Sequence, residues 1–167
     1  MRRVLPLILA TFPLIAGAGT PAAVVAELWK ASSHAASAAA DADRLQQLFR
    51  SDAVVVGGIY REGKPVFNAM KAADFVAAQR QPRPHGFHEC EVVREVKEYD
   101  RFATVYSVVE TRRDPGAAKA DYTGVNSVQL YRDDAGWKIV SLYYHVEKPG
   151  SPIPLAGGKT GACLDSQ

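Results

Sequence analysis

The chain has 167 residues, 47% of them hydrophobic and 23% charged, a composition that suits one globular domain with a core of its own. Its 20 Lys and Arg against 18 Asp and Glu give a formal charge of +2, and two of those cations are Arg2 and Arg3 at the very start. Without that pair the balance is 18 against 18, so the body of the chain offers no basic stripe for nucleic acid or for an anionic membrane.

Met1-Arg2-Arg3, the apolar run from Val4 to Ile15 and the small residues Ala16-Gly17-Ala18 follow the order of a signal peptide. A membrane anchor would need about 20 apolar residues, and this run is shorter and broken by Pro6 and Pro13. Residues 1–18 are therefore expected to be a leader, residues 19–148 the domain, and the protein periplasmic or secreted.

A long helix is expected from Pro21 to Ala40, with Val24, Val25, Leu28 and Trp29 on one side. Asp41 and Asp43 open a shorter helix carrying Leu45, Leu48 and Phe49. Ala53-Val54-Val55-Val56 is a β-branched strand run that stops at Gly57-Gly58, Arg61 to Lys64 forms a turn, and Pro65-Val66-Phe67 returns. A third helix is expected from Asn68 to Gln79, closed by Pro82 and Pro84. From His85 onward the pattern is that of strands, spanning 87–98, 101–112, 122–132 and 137–147. Tight turns at Tyr99-Asp100 and Asp133 to Gly136 join the outer pairs, and Asp114-Pro115-Gly116 opens a loop. Pro149, Pro152 and Pro154 end regular structure, and residues 149–167 read as a disordered tail.

Three helices ahead of long hairpin-linked strands make an α+β chain, and strands of such length twist and curl. The expected architecture is a cone-shaped, strongly curved antiparallel sheet wrapped by three N-terminal helices.

Two local patterns carry a family likeness. One is Gly136-Trp137-Lys138-Ile139 after an Asp-rich turn, and the other is Leu48-Phe49-Arg50-Ser51-Asp52-Ala53-Val54, where the second helix hands over to a strand. In their order along the chain they resemble the nuclear transport factor 2-like (NTF2-like) superfamily, which includes ketosteroid isomerase-like and SnoaL-like proteins. The resemblance covers about residues 22–146 and implies a cone with a pocket. It does not transfer an activity, because one fold hosts many functions.

Alternation along strands puts Tyr106 and Glu110 on one face, and likewise Tyr143 and His145. If these faces, with that of Asn126, look into the cone towards His34 on the first helix, the cavity is aromatic with a few polar groups. His34, Glu110 and His145 are then the candidates for moving a proton, and Tyr106, Asn126 and Tyr143 the candidate ligand contacts. Aromatic stripes on strands are also ordinary core or a dimer face, so that alternative stays open. Trp137 and Ile139, at the start of the last strand, are expected in the core. Cys90 and Cys163 either form a disulfide or stand apart, one buried and one free on the tail, and spacing does not decide between these.

His85 and His88 would point to opposite faces of a strand, so no metal is expected there. Nor is a cofactor expected, since the chain has no phosphate-cradling Gly loop, nucleophile elbow or dinucleotide fingerprint. The leading functional expectation is an exported domain that holds a small, largely apolar molecule in the cone. The alternatives are an isomerase, cyclase or dehydratase with a His or carboxylate base and a Tyr acid, and a module that dimerises or docks through the sheet.

Overall fold

The computed structural model describes residues 19–164, and the leader expected over residues 1–18 lies outside them. The helices are α1 (Pro21–Ser32), α2 (Ala42–Leu48) and α3 (Ala72–Gln79). The strands are β1 (Phe49–Arg61), β2 (Lys64–Lys71), β3 (His88–Tyr99), β4 (Phe102–Arg112), β5 (Tyr122–Asp133) and β6 (Gly136–Val146). All six strands form one sheet in the order β2-β1-β6-β5-β4-β3. Neighbours are antiparallel except β1 and β6, the first and last strands, which pair in parallel. The sheet is thus mixed rather than wholly antiparallel.

The first helix is shorter than its composition suggests. Thr20 caps its start by accepting from Ala23 N, and Ser33 ends it with an extended backbone. The hydroxyl of Ser33 donates to Trp29 O at 2.8 Å and accepts from Glu89 N at 3.0 Å. Serine competes in this way with the helical backbone, and here it ties the helix end to β3. His34 is therefore not helical; it forms an isolated bridge with Phe87, donating N–H to Phe87 O at 2.7 Å. Strand β1 likewise does not stop at Gly57-Gly58 but runs through them. A Cβ at either glycine would overlap Tyr144 or His145 on β6, so the pair admits two large side chains close to β1 instead of breaking it.

The concave face of the sheet can be followed row by row through the register. Val55, Leu142, Val128 and Val105 form one row, and Phe49, Ile139, Leu130 and Ala103 the next. All eight are buried, and they meet Val24, Val25 and Leu28 of α1 and Leu45 and Leu48 of α2 in one core. Trp137 and Ile139 belong to it, 5% and 0% exposed. At the other end of the sheet the helices no longer fill the concave face, and it opens into a cavity bordered by the end of α1 and by α3.

Of the tail expected to be disordered over residues 149–167, the described part to residue 164 crosses the convex face as a strap. Ile153 and Leu155 pack on Cys90, Val92, Val93 and Val108, and Cys163 is disulfide-bonded to Cys90 with the Cα atoms 5.0 Å apart. The Gly and Pro residues let the segment follow the surface without secondary structure of its own. Among the described residues no helix is long and apolar enough to cross a membrane.

Candidate functional site

The cavity measures about 770 Å³ and lies between the end of α1, α3, the 83–87 segment and the concave ends of β3 to β6. Trp29, Phe75, Phe87, Val109 and Leu142 supply apolar wall, and Arg83, His85, Arg113, Asp121 and Glu147 also border it. This balance, mostly apolar with a few polar groups, is that of a small-molecule pocket.

Its polar edge follows from strand register. Glu89 on β3 sits opposite Thr111 on β4, which sits opposite Tyr122 on β5. Side chains paired in this way point to the same side of a sheet, so the three form a single row, and all border the cavity. Thr111 Oγ1 donates to Glu89 Oε1 at 2.7 Å. Burial pushes the Glu89 carboxyl up to about 7, and the Thr111 hydroxyl only partly opposes this. What accessibility Glu89 keeps is on the cavity side, so water there moderates the shift and an apolar ligand would enlarge it. Burial also raises Tyr122, with the nearby Glu89 carboxylate adding to the effect. Two rows deeper, Ser107, Asn126 and Tyr144 are aligned. Asn126 Nδ2 donates to Ser107 O at 3.3 Å, and its amide borders the cavity.

His34 also lines the cavity, bridged to Phe87 just before β3. It is 9% exposed and stacks on Phe87 with ring centres 5.9 Å apart. Its Nδ1 lies 3.0 Å from Ala35 O. A carbonyl only accepts, so Nδ1 carries a hydrogen. Trp29 Nε1, in the same wall, is a buried donor without a partner among the described residues.

No family model matches this sequence, and no curated protein matches it. Solved structures do. An NTF2-like protein of unknown function from Shewanella baltica OS155 superposes with a TM-score of 0.51 at 14% identity, covering 75% of this chain and 91% of that one. An NTF2-like protein with a cystatin-like fold from Novosphingobium aromaticivorans gives 0.52 at 19% identity, covering 66% and 71%. The chain has the NTF2-like fold. At these identities the likeness concerns the fold alone.

Within this NTF2-like cone, the residues expected at the site divide. His34 and Asn126 line the cavity. Tyr106 and Tyr143 do not: they are 39% and 42% exposed on the convex face, both opposite Ser127 of β5. Glu110 is buried on that same face beneath the strap, where Arg112 Nη2 donates to it at 2.8 Å and Gly161 N at 2.9 Å. It is a structural ion pair, not a cavity base. His145 is on the convex register with Tyr143 yet reaches the cavity rim beside Tyr60, ring centres 5.7 Å apart.

The physical reasons are specific. In β4 the inward face is Ala103, Val105, Ser107 and Val109, small and β-branched, and the larger amphipathic aromatics face out. In β6 the register shifts at Val140, where Leu130 pairs with Ile139 but Gln129 pairs with Ser141. That bulge turns Tyr143 outward although Trp137 and Ile139 point inward. Sequence reasoning missed Glu89 and Thr111, while Tyr122 shares the strand face of Asn126. A signal existed, since Glu89 follows Phe87, which abuts the helix end, at the spacing of one strand face.

Proposed function

We propose that the cavity binds a small, largely apolar molecule bearing an oxygen acceptor, and presents to it the Glu89, Thr111 and Tyr122 row. The observation that carries this reading is Glu89: a carboxyl in an apolar wall, held by a single hydroxyl and pushed up to about 7. Near neutral pH such a group is a donor when protonated and a base when ionised. The apolar walls supply the affinity, and the row supplies orientation.

The experiment is a panel of small apolar ketones, lactones and phenols, screened by ligand-observed NMR against the protein and Glu89→Gln between pH 5 and 9. If Glu89 donates to the ligand, affinity falls as pH rises through about 7, and Glu89→Gln removes the pH dependence. Hits whose affinity is the same in both proteins at every pH would refute the role of Glu89.

A second reading is an isomerase or dehydratase, favoured by the same titration. There the Glu89 carboxylate takes a proton and Tyr122 donates one, with His34 lining the same cavity. Turnover would then rise with pH through about 7, the opposite sign to binding. The convex face supports self-association besides: Phe67 is 68% exposed with its ring centre 6.3 Å from that of Tyr143, and Tyr106 and Phe102 are exposed on the same sheet, apolar surface that would be covered in a homodimer through the sheet. The export pattern of residues 1–18 and the Cys90–Cys163 pairing both favour an oxidising compartment, periplasmic or secreted.

A further inference from the structure

Strand β3 is the last of the sheet, bound to β4 on one side and open on the other. An open edge leaves half of its backbone groups without ladder partners, and such strands loosen before inner ones. This edge carries Glu89, and the pairing shifts at Val92, three residues on. Both features work against holding a side chain at one place in the cavity wall.

The strap meets the strand at these positions. Cys163 is bonded to Cys90, the residue after Glu89. Leu164 N donates to Glu91 O at 2.7 Å, giving the open edge a backbone partner. Gly158 lies so close to the shifted segment that a Cβ would collide with Val92 O and come within 2.8 Å of Val93 Cγ2. On the neighbouring strand, Gly161 N donates to Glu110 Oε2, one residue before Thr111. Each residue from Cys90 to Val93 is therefore touched by the strap, whereas beyond Pro149 the strap contributes nothing to the cavity wall. Tethering a tail needs only the one covalent bond. The additional contacts gather behind Glu89 and Thr111.

We infer that the strap is a positioning element, bracing the open edge of β3 from behind so that Glu89 stays in the cavity wall against Thr111. This rests on the proposed role of Glu89, but it is tested without any ligand. The brace is needed because the His34–Phe87 bridge and the Ser33 Oγ bond to Glu89 N both stop at the start of β3, which leaves the backbone edge of residues 90–93 to the strap. Released from the strap, the 89–93 stretch would open locally and admit water to the carboxyl from the edge.

The test compares the protein with Cys163→Ser and with Gly158→Val. The second keeps the disulfide and pushes the strap off Val92 by collision, so it decides the matter if the first does not fold. Two quantities are read by NMR: amide exchange along the chain and titration of the Glu89 side-chain carboxyl. The expected result is exchange at residues 89–93 faster by about tenfold or more, with the Val105 and Val128 amides unchanged. The Glu89 midpoint should also move down from about 7 towards the ordinary carboxylate range. Two results overturn the inference: amides 158–164 exchanging freely while Glu89 titrates as before, or acceleration spread evenly over the sheet, which marks general destabilisation. If the brace behaves as expected and the ligand panel still fails to bind, the proposed function falls and the brace stands.

Discussion

Glu89→Gln is expected to raise stability only slightly at pH 5 and by several times more at pH 8. The carboxyl titrates near 4.5 in an unfolded chain and at about 7 in the fold. Below 4.5 both states hold the proton, and the group has no effect on the balance. Between the two values the folded state keeps its proton while the unfolded state releases it, so stability falls as pH rises. Above 7 both are ionised, and the loss is complete. The interval from 4.5 to about 7, at about 1.36 kcal/mol per pH unit, amounts to about 3 kcal/mol. Water in the cavity makes this an upper figure. Gln is neutral throughout, and its side-chain oxygen can still accept from Thr111. The variant should therefore gain up to about 3 kcal/mol over the parent at pH 8, or roughly 6–12 °C in Tm for a domain of this size. Calorimetry of both proteins at pH 5, 6, 7 and 8, with the disulfide intact, measures it. Stability curves that run parallel across that range would refute the reasoning, because they would mean that Glu89 ionises in the fold as it does in water.

Two further outcomes test the packing. Trp137→Ala, at a position 5% exposed in the core and covered by Arg132, should cost about 3–5 kcal/mol, read by urea unfolding; an unchanged midpoint would contradict its burial. Replacing Tyr106 and Tyr143 together by Ser should shift stability by less than about 1 kcal/mol, as exposed sites do. It should also weaken any self-association seen by sedimentation, and a loss of affinity for a cavity ligand would show that these residues face inward after all.

Much of the architecture was legible because it rests on local signals. The β-branched run at Val54 to Val56, the alternation from Phe102 to Arg112, and the turns at Asp100 and Gly136 each mark an element whichever way the chain later packs. The turn at Asp100 is clear in hindsight too, since it adopts φ 51, which Asp tolerates better than most residues. The site was less legible because it depends on phase. Asn126 was placed correctly since β5 runs without interruption to the cavity, whereas the shift at Val140 reverses the last strand and nothing in Lys138-Ile139-Val140-Ser141 announces it. His34 was found for a reason that does not hold, a helix that in fact ends at Ser32. The row of Glu89, Thr111 and Tyr122 exists only through pairing across three strands, and no single stretch of sequence contains it.

The parallel contact between β1 and β6 bears on how the molecule comes to be folded at all. Val55 lies against Leu142, 142 − 55 = 87 positions later, so the inner half of the sheet cannot assemble until nearly the whole domain has been made. The hairpins of β1 with β2, β3 with β4 and β5 with β6 are local and can form early, but the first of them must wait for the far end of the chain before it can join the sheet. Closing so long a loop before any contact rewards it slows folding. If the chain is exported as proposed, such a delay is an advantage: the segment emerging first has no complete core to collapse onto, and Cys163 is not available to Cys90 until the end. The same delay leaves Val54, Val55 and Val56 uncovered for longest, which makes that run the place where aggregation would begin if the last strand were truncated.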